Sequence, residues 1–193
     1  MARPRRHDPD RRQRIVDAAV RVVERGGIAG LSHRSVAAEA DVPLGSTTYH
    51  FTTLDDLLAA ALTQVIDEQW LEQLERWERG IDPALPLADE IVRFIEEHMA
   101  GDRTRVGLEY ELYLAALRYE AVRPIAADCL DRTAAVLRRR TADEATARTL
   151  VALIDGLMLQ LLLTGRPFDP ASARQVISQV IDAPGSPGRV RSG

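Results

Sequence analysis

Apolar residues return every three or four positions along this 193-residue chain, and strand-type alternation is hard to find, so the pattern predicts helices throughout. The first run is Ile15, Ala18, Ala19, Val22 and Val23. Asp8-Pro9 opens it, offering an N-cap followed by a proline at the first helical position, and Gly26-Gly27 ends it. A short second helix starts at Ser32, whose hydroxyl can accept an orphan backbone N–H, with Leu31 and Val36 at the positions of a hydrophobic staple. Asp41-Val42-Pro43 breaks it, because proline disfavours a helical conformation in the residue before it. Gly45 then lies just inside a third helix, where a missing Cβ allows close approach of a helix or of DNA. Thr53-Leu54-Asp55-Asp56 reads as a capping box for one long helix through Leu57, Leu58, Ala61, Leu62, Val65, Ile66, Trp70 and Leu74 toward Trp77.

Further helices follow at the same spacing. Gly80 to Pro86 is a turn with two prolines, and Leu87 to Met99 faces inward with Ile91, Phe94, Ile95 and His98. Gly101 to Arg105 is a break. The next helix, Val106 to Glu120, carries Tyr110, Tyr113, Leu114 and Leu117 on one side. Arg123-Pro124 interrupts the pattern before a helix over Ile125 to Arg140, and a long apolar helix runs from about Asp143 to Thr164. Asp169-Pro170 caps a last helix with the stripe Val176, Ile177, Val180 and Ile181. The end of the chain, rich in Pro, Gly and Ser, reads as a disordered tail.

Charge changes this picture at one end. The net charge is -4, yet Met1 to Thr53 holds nine arginines against six acids, so the basic end is the one suited to meet phosphate. A single Cys129 forms no intrachain disulfide, and a reducing, cytoplasmic setting is expected. Met1 to Arg14 has no apolar run of the kind a signal peptide needs. Leu150 to Leu163 is the most apolar segment, but it is shorter than the roughly 20 residues that span a bilayer and includes Asp155 and Gln160, which favours a buried helix. The histidines at 7, 33, 50 and 98 show no metal-ligand or carboxylate spacing, no phosphate-binding glycine loop is present, and Asp128 and Asp131 beside Cys129 oppose thiolate formation. No enzyme, cofactor or metal is expected.

Ser32 to Phe51 therefore reads as a helix-turn-helix. Recognition helices need side chains that meet phosphates and others that reach base edges, and Leu44 to His50 offers both. Ser46, Thr47 and Thr48 are short donors and acceptors, and Tyr49 and His50 can donate to phosphate. Arg34, near the start of the second helix, can reach a phosphate or a guanine.

The run Val36-Ala-Ala-Glu-Ala-Asp-Val-Pro-Leu-Gly-Ser-Thr-Thr-Tyr-His-Phe51, followed by Leu54-Asp-Asp-Leu-Leu58, resembles the TetR-type transcriptional regulators. The resemblance is close over about residues 10 to 60. It implies DNA contacts from His33, Arg34, Leu44, Ser46, Thr48, Tyr49 and His50, to which helix geometry adds Thr47. Two departures stand out: Asp41 occupies a turn position where the family commonly has glycine, and Leu54 a position where a phosphate-contacting lysine often opens helix 4. An N-terminal arm with Arg3, Arg5 and Arg6, continued by Arg11 and Arg12, is expected to compensate.

The expected architecture is all-α, with about nine helices. Residues 1–53 form a three-helix DNA-binding head with the basic arm 1–7, a long helix 4 leads into an effector-binding and dimerisation body over 54–183, and 184–193 form the tail. The apolar 143–164 helix and the last helix suit a two-fold four-helix interface through Leu153, Leu157, Leu161, Val176 and Val180, unless they are covered within one chain. Trp70, Phe94, His98, Tyr110, Tyr113, Met158 and Gln160 lie on apolar faces of separate helices, either as the lining of a pocket for a hydrophobic effector or as plain core. The expected partners are operator DNA, a second copy and a small-molecule effector, with no membrane. The function the resemblance implies is a ligand-released repressor on a palindromic operator, and the rival is a DNA-binding protein with no effector.

Overall fold

The protein is described by a computed structural model over residues 10–183, so Arg3, Arg5, Arg6, the Asp8-Pro9 cap and the C-terminal tail lie outside the described residues. The helices are α1 (Arg11–Gly26), α2 (His33–Glu39), α3 (Leu44–His50), α4 (Leu54–Val65), α5 (Glu72–Gly80), α6 (Leu87–Ala100), α7 (Arg103–Leu114), α8 (Arg123–Arg138), α9 (Glu144–Thr164) and α10 (Pro170–Asp182). Single 3-10 turns stand at Ile28–Gly30, Ala115–Leu117 and Glu120–Val122, and no strand occurs among the described residues. The chain forms two compact units. Among the described residues, one holds those up to Glu72 with Gly107–Ala127, and the other holds Gln73–Val106 with those from Asp128 to Ala183.

In the first unit α1 buries the predicted stripe, with Ile15, Ala18 and Ala19 completely enclosed. It packs on both α2 and α4. Ser32 closes α2 with Ser35 as its capping-box partner, and Thr53 closes α4 with Asp56. Leu57, Ala61 and Leu62 of α4 are wholly buried, and Val122 from the last 3-10 turn packs against the same helix. Through these contacts α4 belongs to the same compact unit as the three head helices.

The long helix expected from Leu54 to Trp77 is one continuous helical path with a π-helical segment, Ile66–Leu71, inside it. Ile66, Trp70 and Leu74 recur at strict four-residue spacing, which creeps around an α-helix of 3.6 residues per turn. A wider i→i+5 turn removes that drift and keeps all three buried.

The second unit centres on α6, α9 and α10, which pack on one another. Ile91 and Ile95 of α6, Leu150 and Met158 of α9, and Ile177 of α10 are fully buried. Asp143 caps α9 by accepting the Thr146 N–H at 2.7 Å, and Gly165 ends it with φ of +66°. The helix has 21 residues, so it is longer than its apolar run, and by length and composition it can cross a membrane. It packs on α6 and α10 along one side only, with 33% of its most apolar stretch buried, so the expected buried helix is covered in part.

Two details differ from the pattern. Leu114 and Leu117 are exposed, Leu117 by 77%, because α7 ends at Leu114 and the tighter 3-10 turn carries the following residues out of helical register. Arg123-Pro124 does not precede a helix but opens α8, where proline sits in the first turn at no cost in hydrogen bonds.

Candidate nucleic-acid interface

The head is built from local chemistry. The Ser32 hydroxyl accepts the Ser35 N–H at 3.0 Å while the Ser35 hydroxyl accepts the Ser32 N–H at 2.9 Å, which fixes where α2 begins. The turn after α2 passes through Asp41 at φ of +52°, a left-handed conformation that few residues besides Gly, Asn and Asp adopt readily. The Val42 N–H then donates to the Ala37 carbonyl at 3.0 Å, and α3 follows. From the other side Glu39 ties α2 to α1, accepting from Arg21 Nε at 2.7 Å and from Arg25. These two guanidiniums hold the Glu39 carboxyl below its ordinary range, Arg21 foremost.

Packing of α3 on α2 divides its residues into two sets. Thr47 is fully buried, and its hydroxyl donates to the Leu44 carbonyl at 2.8 Å with a longer approach to the His33 carbonyl. That corrects the sequence reading of Thr47 as a DNA contact, since its only polar atom is enclosed and already bonded. Leu44, Thr48 and Tyr49 face outward, Tyr49 with 83% of its surface exposed, and Tyr49 meets His50 edge-on at 5.1 Å. Arg34 is exposed, while His33, Ser46 and His50 are half-buried at the margin. A Cβ added to Gly45 would meet nothing within 4 Å, so no partner helix accounts for the glycine. Phe51 ends the motif as a buried anchor, with the Arg12 guanidinium 5.0 Å above its ring. Arg12 is thereby attached to the head rather than free in the arm.

The family description "Bacterial regulatory proteins, tetR family" matches residues 15–61, and "Tetracyclin repressor-like, C-terminal domain" matches residues 83–183. The chain belongs to the TetR family of transcriptional regulators. It is 30% identical over 181 residues to the HTH-type transcriptional regulator BetI of Paraburkholderia phytofirmans, covering 89% of this chain and 92% of that one. The nicotine-responsive transcriptional repressor HdnoR of Paenarthrobacter nicotinovorans is 26% identical, with coverage of 90% and 93%. Among solved structures, the multidrug binding protein EbrR complexed with imidazole superposes with a TM-score of 0.85 at 55% identity, covering 93% of this chain and 99% of that one. A TetR-family member from Streptomyces coelicolor A3 gives a TM-score of 0.78 at 56% identity, with coverage of 90% and 99%.

In this TetR-family regulator the residues expected to line an effector pocket fall into two groups. Trp70, Tyr110 and Tyr113 belong to the first unit, where the two tyrosines meet edge-on at 6.3 Å. Phe94, His98 and Met158 belong to the second and are buried. Phe94 stacks on His98 at 5.9 Å and leans on Trp77 at 5.2 Å, and Gln73 bonds the His98 ring. Trp77 extends this aromatic row and was not among the expected lining residues. Its indole N–H donates to the backbone carbonyl of Glu90, whose buried side chain pairs with Arg93. Gln160 departs from the expectation. It is exposed and lines a groove of about 240 Å³ with Leu157, Phe168 and Val176, on the face of α9 away from Met158.

That outer face carries the residues expected to pair two chains. Of these, Leu161 is buried, Leu153, Leu157 and Val180 are half-buried, and Val176 is 44% exposed. A one-sided stripe is thus covered within the chain, while the other apolar side of α9 and α10 faces outward.

Proposed function

We propose that this regulator is a homodimeric repressor that reads a palindromic operator in the cytoplasm and leaves it when a small aromatic ligand binds. The observation carrying the DNA half is the division of α3, with Thr47 turned inward and Leu44, Thr48 and Tyr49 turned outward beside exposed Arg34. One such surface offers few base contacts. Two of them on half-sites about 34–36 Å apart supply the rest. The outward apolar stripe of Leu153, Leu157, Val176 and Val180 supports pairing of two chains, with buried Leu161 backing it from beneath.

The ligand half rests on likeness. EbrR, 55% identical, has been solved with ethidium and with proflavin, which are flat aromatic cations. Aromatic faces such as those of Trp77 and Phe94 in one unit, or of Tyr110 and Tyr113 in the other, suit ligands of this class. Such a ligand releases DNA only by preferring the conformation that cannot bind it, and a hundredfold shift in operator affinity needs about 2.7 kcal/mol of that preference. A second reading, DNA binding with no effector, is favoured by the close burial of Phe94 and His98.

Selecting bound duplexes from a random pool tests the DNA half, and an inverted repeat is the expected product. Recovery of no sequence preference would end the repressor reading. Titrating ethidium and proflavin into the selected complex, alongside thermal melting, tests the ligand half. Release together with a raised Tm supports the sensor, and no effect across a broad panel of lipophilic cations supports the effector-free protein.

A further inference from the structure

The loop that leaves α1 is held by a side chain from far along the chain. Ile28 donates its backbone N–H to Glu111 Oε1 at 2.7 Å, across 83 residues of sequence. Gly27 beside it has φ of +67°, and a Cβ there would come to 3.0 Å from the same carboxylate oxygen. The bond and the glycine therefore fit one another. Glu111 is exposed while its helix neighbours Tyr110 and Leu112 are buried, so it forms the polar edge of α7 toward α1. Nearer its start α1 is tied a second time, by Gln64 of α4, which donates to Asp17 at 2.9 Å and accepts from Gln13 at 2.8 Å. Helix α2 packs on α1 and α3 packs on α2, so whatever fixes α1 fixes the outward face of α3.

We propose that Glu111 is a positioning residue for DNA recognition: by accepting the Ile28 N–H it sets the α1–α2 loop, and through it α2 and α3, against α7. The inference rests on the DNA-binding reading above. Tyr110 and Tyr113 lie on the same helix, so a ligand that touches either ring and shifts α7 also shifts the acceptor of this bond. Displacement of α7 then reaches the recognition helix without any change in the residues that face DNA.

Two substitutions separate the bond from the charge. Glu111→Gln removes the charge but keeps an acceptor oxygen at the same reach, and Glu111→Asp keeps the charge but withdraws the oxygen by one methylene. With the selected operator, and concentrations corrected for binding-competent protein by stoichiometric titration, E111D is expected to bind about 3- to 10-fold more weakly, the loss of one charge-assisted hydrogen bond partly replaced by water. E111Q is expected to stay within about twofold, and in both the slope of log Kd against log salt is unchanged because no phosphate contact is lost. Hydrogen exchange at the Ile28 amide quickens in E111D only. A purely structural role would lower Tm without altering the affinity of the competent fraction. Equal affinity in E111D and the parent, or the reverse order of the two variants, would overturn the proposal. A parent protein that selects no operator would overturn the DNA-binding reading and this role with it.

Discussion

Gly45 separates folding from recognition at a single carbon atom. A methyl group there meets nothing within 4 Å, so Gly45→Ala should leave Tm unchanged or raise it, helix propensity favouring alanine by roughly 0.5–1 kcal/mol. Operator affinity should nonetheless fall about tenfold, or roughly 1.4 kcal/mol, as the new methyl holds α3 away from the duplex. Melting and binding measured on one preparation check this, and a lowered Tm would show that the glycine serves the fold. Thr47 and Thr48 make a second such pair. Thr47→Val should lower stability by about 1 kcal/mol in urea unfolding, since it removes a buried hydrogen bond, and leave binding by the folded protein unchanged. Thr48→Ala should do the reverse. The sequence did not distinguish these neighbours, because a seven-residue helix has too few apolar positions to define a stripe and its inward face is chosen by α2. Glu90 illustrates the opposite case: its spacing from Leu87, Ile91 and Phe94 already places it on the buried face, and only its charge argues otherwise.

At the level of elements, what was legible was local. Ser32, Thr53, Asp143 and Asp169 all cap helices where the sequence placed starts, because a cap needs only a side chain and the next three amides. The π segment, the 3-10 turn after α7 and the Pro124 start of α8 were not legible, since each settles how residues distant in sequence share a core. The caps also predict an acid limb. Backbone and hydroxyl donors hold the carboxyls of Asp56 and Asp143 below their ordinary range, chiefly the Thr53 and Thr146 N–H groups, and the Ser172 hydroxyl does the same for Asp169. A carboxyl depressed in the folded chain stabilises it above its unfolded value, near pH 4, and that contribution fades as pH falls further. Asp143→Asn should therefore lower Tm at pH 7 and flatten the decline of Tm between about pH 5 and pH 3. An acid limb identical to that of the parent would show that Asp143 contributes nothing to it.

For the whole molecule, the family and the helical layout were legible from periodicity and one motif, whereas the division into two units was not, because Gly107–Ala127 joins the N-terminal unit only through packing. The proposed pairing of two chains belongs to this scale. Introducing Glu at both Leu157 and Val176 should give a monomer in sedimentation and reduce operator affinity at least about a hundredfold, since a single head loses the second half-site. A double variant that stays dimeric would place the interface elsewhere. Helix α9 gives the outward stripe a further meaning. Its most apolar stretch has mean hydropathy 1.5, and its own chain buries only 33% of it. Synthesis reaches this helix after α6, which can cover one side of it, so the nascent chain leaves the outward stripe open. On the proposed pairing, a second copy is what shields that greasy side from chaperones and proteases, so a chain made alone is expected to be the short-lived one.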